Sequence, residues 1–116
     1  PMLGEAWDFR HALQLELATI AGDLAAIDRV VDEARRLGHE MTLLHAYSRA
    51  ASTALDRGDP ARACEEAHRA WALADRIVVT MAYPLDPWWH CARVFDATGA
   101  AEAAAAVARR AKAWIR

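Results

Sequence analysis

The sequence predicts an all-α fold of six helices, arranged as three antiparallel hairpins that pack side by side in a short α-solenoid. Small and apolar residues recur at the three- and four-residue spacing of amphipathic helices along most of the 116-residue chain. Glycines interrupt this pattern at Gly22, Gly58 and Gly99, which lie 36 and then 41 residues apart. A period of this length, built from helix–turn–helix units, is typical of helical repeat arrays.

The central hairpin shows how the sequence encodes a turn. Its first helix, His45–Arg57, is followed directly by Gly58, Asp59 and Pro60. Gly58 suits the left-handed conformation just past a helix end, and Asp59 can accept hydrogen bonds from the free N–H groups of the next helix. Pro60 suits the first helical position, where its missing N–H costs nothing. Two helices joined by so short a turn are expected to lie antiparallel.

The other elements follow from the same signals. Asp23 caps the second helix and Gly38 ends it, while Asp86 and Pro87 repeat the cap-and-proline start for the fifth helix. The bulky apolar residues of the first helix are Trp7, Leu13, Leu15, Leu17 and Ile20. The predicted helices are 3–21, 23–37, 40–57, 60–77, 87–98 and 101–115, in hairpins of about 3–38, 40–77 and 86–115 within one domain, 1–116.

The segment Ile77–Pro87 is ambiguous. Val78, Val79 and Thr80 are β-branched, but a single strand has nothing to pair with in a helical chain. The fourth helix therefore either continues to Ala82 or gives way to an apolar loop. We favour continuation with a break before Pro84, because the residue before a proline avoids helical geometry.

Composition narrows the classes of function. The net charge is −2 and charges of both signs are interspersed, which argues against direct binding of nucleic acid or of an anionic membrane. No apolar run approaches the roughly 20 residues of a membrane-spanning helix. The two cysteines, Cys64 and Cys91, are too few for a disulfide scaffold and favour a reducing, cytoplasmic compartment.

The two ends of the array are expected to be apolar. Leu3, Ala6 and Trp7 carry little polar shielding, and Trp114 lies close to the other end. A repeat array normally ends in a polar cap, so we expect the chain to be part of a larger protein. Exposed ends would also allow self-association, with a homodimer as the simplest product.

The repeat pattern resembles the tetratricopeptide repeat. That family carries large and small residues at set positions of a first and a second helix, in repeats of about 34 residues. In the third hairpin the matching positions are Trp88, Cys91, Ala92 and Phe95, then Ala104, Ala108 and Ala111. In the middle hairpin they are Tyr47, Ala50, Ala51 and Ala54, then Ala63, Ala67 and Ala70. In the first hairpin they are His11, Gln14, Leu15 and Ala18, then Ile27, Val31 and Ala34. The closing proline of the family is absent and the spacing is longer.

The resemblance implies a right-handed solenoid whose first helices line a concave groove. It also resembles the C-terminal repeat region of large bacterial regulators, which couple a signalling ATPase to transcription control. The implied function is a non-catalytic protein-interaction or sensing module that binds a peptide or partner domain and needs no cofactor. The groove positions are Phe9, Ala12 and Glu16; His45, Ser48, Arg49 and Ser52; and Trp89, His90, Arg93 and Asp96.

Two interpretations of this groove stay open. In one, Arg49 and Arg93 pair with carboxylates of a bound peptide and Trp89 is an aromatic anchor. In the other, Trp89 packs on Pro84 or the 77–86 segment and the arginines are solvated. A purely architectural segment that stacks on further repeats is a third possibility.

Enzyme chemistry finds little support in the sequence. No glycine-rich phosphate loop, HExxH, GxSxG or CxxC motif occurs. Among the five histidines only His68 has a cysteine, Cys64, at helical spacing, and a single such pair does not predict a zinc site. His90 and Cys91 are adjacent on a predicted helix and would point in different directions, which disfavours a nucleophile–base pair.

Overall fold

A computed structural model describes residues 9–77 and 85–115, and in these ranges the chain is entirely helical apart from short turns. The six helices confirm the predicted all-α class. They are α1 (Phe9–Ala21), α2 (Leu24–Leu37), α3 (Glu40–Asp56), α4 (Pro60–Ile77), α5 (Leu85–Ala97) and α6 (Ala101–Ile115). The predictions for residues 3–8, including Trp7, and both alternatives for residues 78–84 lie outside the described residues.

The turns between the helices have the predicted chemistry. Oδ1 of Asp23 accepts a hydrogen bond from the backbone N–H of Ala26 at 3.0 Å, and Oδ1 of Asp59 accepts one from Arg62 at 3.1 Å. Each aspartate thus satisfies an N–H that the first turn of a helix leaves free. The four glycines of the turns between helices have positive φ, namely Gly22, Gly38, Gly58 and Gly99.

One predicted helix start is displaced. We expected Asp86 to cap a helix that begins at Pro87, but α5 begins at Leu85 and includes Asp86 in its first turn. The Asp86 carboxylate faces His45, Arg49 and His90. A tertiary interaction between α3 and α5 therefore determines where this side chain points.

Each helix packs on its neighbours in the chain, and α3 also contacts both α1 and α5. The central positions of this packing are filled by small side chains. All seven residues of the middle hairpin that match the repeat pattern are buried: Tyr47, Ala50, Ala51, Ala54, Ala63, Ala67 and Ala70. Alanine buries little area but permits a close approach of helix axes, so α3 and α4 form the tightly packed centre of the domain.

The outer helices are less well covered. On α1, Leu15 is buried, whereas Leu13, Leu17 and Ile20 are exposed. On α6, Val107 is buried and Trp114 and Ile115 are exposed. Trp88 is buried, and its ring is nearly perpendicular to that of Trp114, with the ring centroids 6.4 Å apart. None of the described helices combines the length and apolar character that crossing a membrane would require.

Candidate binding groove

Arg49 lies at the centre of the face that α1, α3 and α5 share. Its guanidinium forms an ion pair with Glu16 of α1, and its Nη2 lies 3.5 Å from Oδ2 of Asp86 on α5. Only 17% of the Arg49 side chain is exposed. Arg49 therefore links three helices of which no two are joined directly by a turn.

The Asp86 carboxylate lies close to three basic side chains. Besides Arg49, His45 Nδ1 lies 3.8 Å and His90 Nε2 3.7 Å from its carboxylate oxygens. The interaction with His45, together with the charges of Arg49 and His90, lowers the pKa of Asp86 to about 2 against the opposing effect of burial. Asp86 is therefore ionised at neutral pH.

His90 is neutral at physiological pH. Burial lowers its pKa from 6.5 to about 4, and the positive charges of Arg49, Arg93 and His45 act in the same direction, while Asp86 opposes them. Its Nδ1 lies 2.5 Å from Oγ of Ser52 on α3. The neutral ring can accept or donate this hydrogen bond according to its tautomer.

An aromatic–cation pair lies at the open end of this face. The Arg93 guanidinium carbon is 5.8 Å from the centroid of the Trp89 ring, and Arg93 also pairs with Asp56 of α3. Trp89 is 59% exposed. Arg57 donates a hydrogen bond to the carbonyl oxygen of Gly22 at 3.0 Å, which ties the end of α3 to the end of α1.

These groups surround a pocket of about 390 Å³, here called the groove pocket. The groove pocket combines the exposed ring of Trp89 with charged side chains of both signs. Its lining residues are Thr19, Gly22, Ser52, Thr53, Asp56, Arg57, Trp89, His90 and Arg93.

The structure brings most of the predicted groove residues together. His45, Arg49, Ser52, Trp89, His90 and Arg93 all belong to the connected face, and Glu16 joins it through Arg49.

Of the other predicted groove residues whose side chains the structure describes, only Ser48 is inaccessible. Ser48 is wholly buried and its hydroxyl donates to the carbonyl of His45 at 2.9 Å, so it presents no surface to a ligand. Asp96 is exposed towards the end of α5, and Ala12 is partly exposed on α1. The side chain of Phe9 lies outside the described part of the chain.

Asp56, Arg57 and Asp86 also belong to this face, although the sequence did not predict them there. Asp86 was expected to cap a helix and Arg57 to end one, and Asp56 had no expected role. A signal for two of them does exist in the sequence, because Arg49 and Asp86, and likewise Asp56 and Arg93, are 37 residues apart. This separation is close to the predicted repeat length, and each pair joins α3 to α5.

Ser52, His90 and Asp86 occur in the order of a hydroxyl, an imidazole and a carboxylate, but their geometry does not suit nucleophilic catalysis. Ser52 is buried inside α3, where the backbone N–H groups are engaged by the helix and cannot form an oxyanion hole. The 3.7 Å from His90 to Asp86 exceeds a hydrogen bond, and a pKa of about 4 makes His90 a weak base. Their role is to join α3 to α5.

The described residues offer neither a metal-binding cluster nor a reactive thiol at Cys91. In residues 9–77 and 85–115, no three His, Cys, Asp or Glu side chains are placed to hold a metal ion. Cys91 is buried, and burial raises the pKa of its thiol to about 12. The thiol therefore stays protonated and is a poor nucleophile.

The second interpretation of the groove takes the arginines to be solvated and Trp89 to pack on Pro84 or the 77–86 segment. Arg49 is not a solvated side chain, because it is largely buried and ion-paired on both sides. Whether Trp89 contacts Pro84 lies outside the described residues.

No family model matches the chain, and neither the curated proteins nor the solved structures include a significantly similar one. The resemblance to tetratricopeptide repeats thus stays a prediction from the residue pattern.

Proposed function

We propose that this chain is a three-hairpin, tetratricopeptide-like array and that its groove pocket binds a peptide segment of a partner protein. Side-chain links between helices support the repeat. They join Glu16 to Arg49, Gly22 to Arg57, Asp28 to Arg62, Ser52 to His90, Asp56 to Arg93 and Asp75 to Arg110, at sequence separations of 33 to 38 residues. A contact that recurs at one repeat length is what stacked hairpins produce.

A further ion pair supports the hairpin arrangement. Glu40, the first residue of α3, pairs with Arg76, the penultimate residue of α4. Neighbouring helices whose opposite ends meet in this way run antiparallel, which agrees with the short turn at Gly58.

The observation that carries the binding proposal is the exposed Trp89 ring beside the Arg93–Asp56 pair in the groove pocket. A large exposed aromatic in a concave site is a common anchor in protein recognition. The Arg93–Asp56 pair lies near the surface, where an ion pair contributes only about 0–1 kcal/mol. A peptide carboxylate can therefore replace Asp56 at little cost.

This arrangement specifies the ligand more closely than the sequence did. We expected Arg49 and Arg93 to receive peptide carboxylates together. Arg49 is already held between Glu16 and Asp86, so Arg93 is the arginine that remains available. The proposed ligand is an extended segment with an apolar or aromatic side chain on Trp89 and an acidic side chain at Arg93.

The wider role follows from the resemblance alone. The module would serve a larger cytoplasmic bacterial regulator, without catalysis or a cofactor of its own, and docking of a partner would signal to, or restrain, the attached ATPase.

A selection experiment tests the binding proposal. A phage library of random 12-residue peptides is selected on the wild-type chain, and the enriched peptides are measured by fluorescence anisotropy. We expect Trp89→Ala to weaken binding at least tenfold and Arg93→Ala several-fold. Arg109→Ala removes an exposed arginine of α6 and should leave affinity unchanged. Enriched peptides that bind Trp89→Ala as well as wild type, or the absence of enrichment, would exclude the groove pocket as the site.

A second candidate, self-association, is favoured by a separate observation, namely the exposed apolar residues on α1 and α6.

A further inference from the structure

The three first helices occupy equivalent positions in the proposed array, which allows their surfaces to be compared. The turn glycines set the alignment, so Leu13 of α1 corresponds to Arg49 of α3 and His90 of α5. Arg49 contacts α1 through Glu16, and His90 contacts α3 through Ser52. This position therefore faces the preceding first helix in both later hairpins.

Leu17 occupies a second position that is covered in both later hairpins but exposed on α1. Its counterparts Thr53 and Val94 are 3% and 0% exposed, whereas Leu17 is 59% and Leu13 55% exposed. A groove of about 470 Å³ adjoins Leu17 between α1 and α2, with Ala21, Ala26 and Val30 among its lining residues. We call Leu13, Leu17 and this groove the front face.

On the last helix, α6, two residues are exposed although their counterparts on α4 are buried. Ala108 of α6 corresponds to Ala67 of α4, which is wholly buried and whose carbonyl accepts a hydrogen bond from the Cys91 thiol of α5. Ala108 itself is exposed, and so is Ile115, whose counterpart Ala74 is buried. We call Ala108 and Ile115 the back face.

We infer that the front face of one copy receives the back face of a second copy, so that the chain assembles head to tail. The inference rests on the proposed repeat array. The two faces are the unmatched halves of a junction that the chain already forms twice, where α2 packs on α3 and α4 packs on α5. The leucines of the front face can also pack as ridges against the shallow surface around Ala108 on the back face.

The charges at the two faces are compatible with this contact. Asp23 and Glu33 line the front groove, together with Arg29. Arg109 and Lys112 are exposed on α6 beside the back face. Because the two faces differ, the contact is heterologous. A dimer therefore keeps one free front face and one free back face, so assembly continues beyond a dimer as the concentration rises.

Sedimentation velocity of the 116-residue chain across a concentration series provides the test. We expect wild type to form species larger than a dimer. Leu17→Arg removes only the front face and Ala108→Arg only the back face, so each variant alone should be monomeric. A 1:1 mixture of the two should form a heterodimer and nothing larger, because each contributes one intact face. Ala72→Arg, at an exposed alanine of α4, is the matched control and should assemble like wild type.

Each other outcome overturns the inference. Monomeric wild type at every concentration would refute assembly. A mixture that stays monomeric would indicate a symmetric contact instead of head-to-tail stacking. Both substitutions lie at exposed positions, and circular dichroism verifies that the variants fold. Leu13→Arg serves as a second front-face variant. Trp89→Ala should assemble normally while losing peptide binding, so failure of this inference and failure of the groove proposal give different results.

Discussion

The Ser52 hydroxyl lies 2.5 Å from Nδ1 of His90 and joins α3 to α5. In the proposed repeat array, the equivalent positions of the preceding hairpin are occupied by Glu16 and Arg49, which join α1 to α3 as an ion pair. The same structural position is thus filled by a charged pair at the first junction and by a neutral hydrogen bond at the second. The two junctions should therefore respond differently to mutation and to pH.

Arg49→Ala should destabilise the fold by about 1–3 kcal/mol, which is between the effects of an exposed and a buried ion pair. The substitution leaves Glu16 and Asp86 without their shared cation at a site where Arg49 is largely buried. Urea unfolding followed by circular dichroism measures the change. Arg109→Ala, at an exposed position of α6, should change the free energy of unfolding by less than about 0.5 kcal/mol. Equal effects of the two substitutions would contradict a bracing role for Arg49.

His90 should make the protein sensitive to mild acid. The unfolded chain takes up a proton near pH 6.5, whereas the folded chain does so only near pH 4, so the stability that His90 contributes is lost as pH falls from about 6.5 to 4. Between pH 7 and pH 5 we expect wild type to lose about 2 kcal/mol of stability from this group. His90→Gln should remove much of that loss in urea titrations, because an amide can retain the hydrogen bond to Ser52 without titrating.

His68→Gln is the control for this titration, since it removes an exposed histidine of α4. The acid-dependent loss should persist in that variant. The low pKa of Asp86, about 2 against an ordinary 3.8, places its own loss of stability at lower pH, below about 4. An unchanged difference between pH 7 and pH 5 in His90→Gln would show that another group is responsible.

Cys91 should resist alkylation in the folded protein. Its thiol is buried against the Ala67 carbonyl and its pKa is raised to about 12, so almost no thiolate forms at pH 8. Cys64 is partly exposed and serves as the internal comparison. Peptide mass spectrometry after iodoacetamide treatment should find label on Cys64 alone in buffer and on both cysteines in urea. Equal labelling in buffer would mean that α5 opens readily from α4.

Gly58→Ala should cost about 1–2 kcal/mol of stability, the penalty for a side chain in left-handed backbone. Gly58 has a φ of 80°, and a Cβ at this position would meet nothing within 4 Å, so the cost is backbone strain without a clash. Gly58→Asn should cost less, because asparagine tolerates this region better. Thermal unfolding compares the two variants. A loss for Gly58→Asn equal to or larger than that for Gly58→Ala would contradict backbone strain as the cause.

Much of the helix pattern was predictable because its causes are local. The caps at Asp23 and Asp59 and the left-handed glycines depend on residues within one turn of the chain. The buried alanines of α3 and α4 follow from helical periodicity, which does not depend on distant residues. Local signals were misleading at Asp86, where a cap-and-proline motif was overridden by the basic side chains of α3.

The groove was predictable only in outline. Helical spacing placed Arg49, Ser52, His90 and Arg93 on one face, but gave no information about which of them would be engaged by carboxylates of the same chain. Those carboxylates come from residues 33 to 37 positions away, and their arrival depends on how the helices stack. Arg49 therefore changed from an expected ligand contact into a brace.

The six helices, their turns and the small side chains at their centre follow from the amino-acid sequence alone, because these features depend on spacing and capping over a few residues. Which apolar side chains are covered depends instead on how the helices pack. Leu15 and Leu17 belong to the same helix and differ by two positions, yet one is buried and the other exposed. Burial depends on whether a neighbouring helix covers that side, and the described helices leave one side of α1 open.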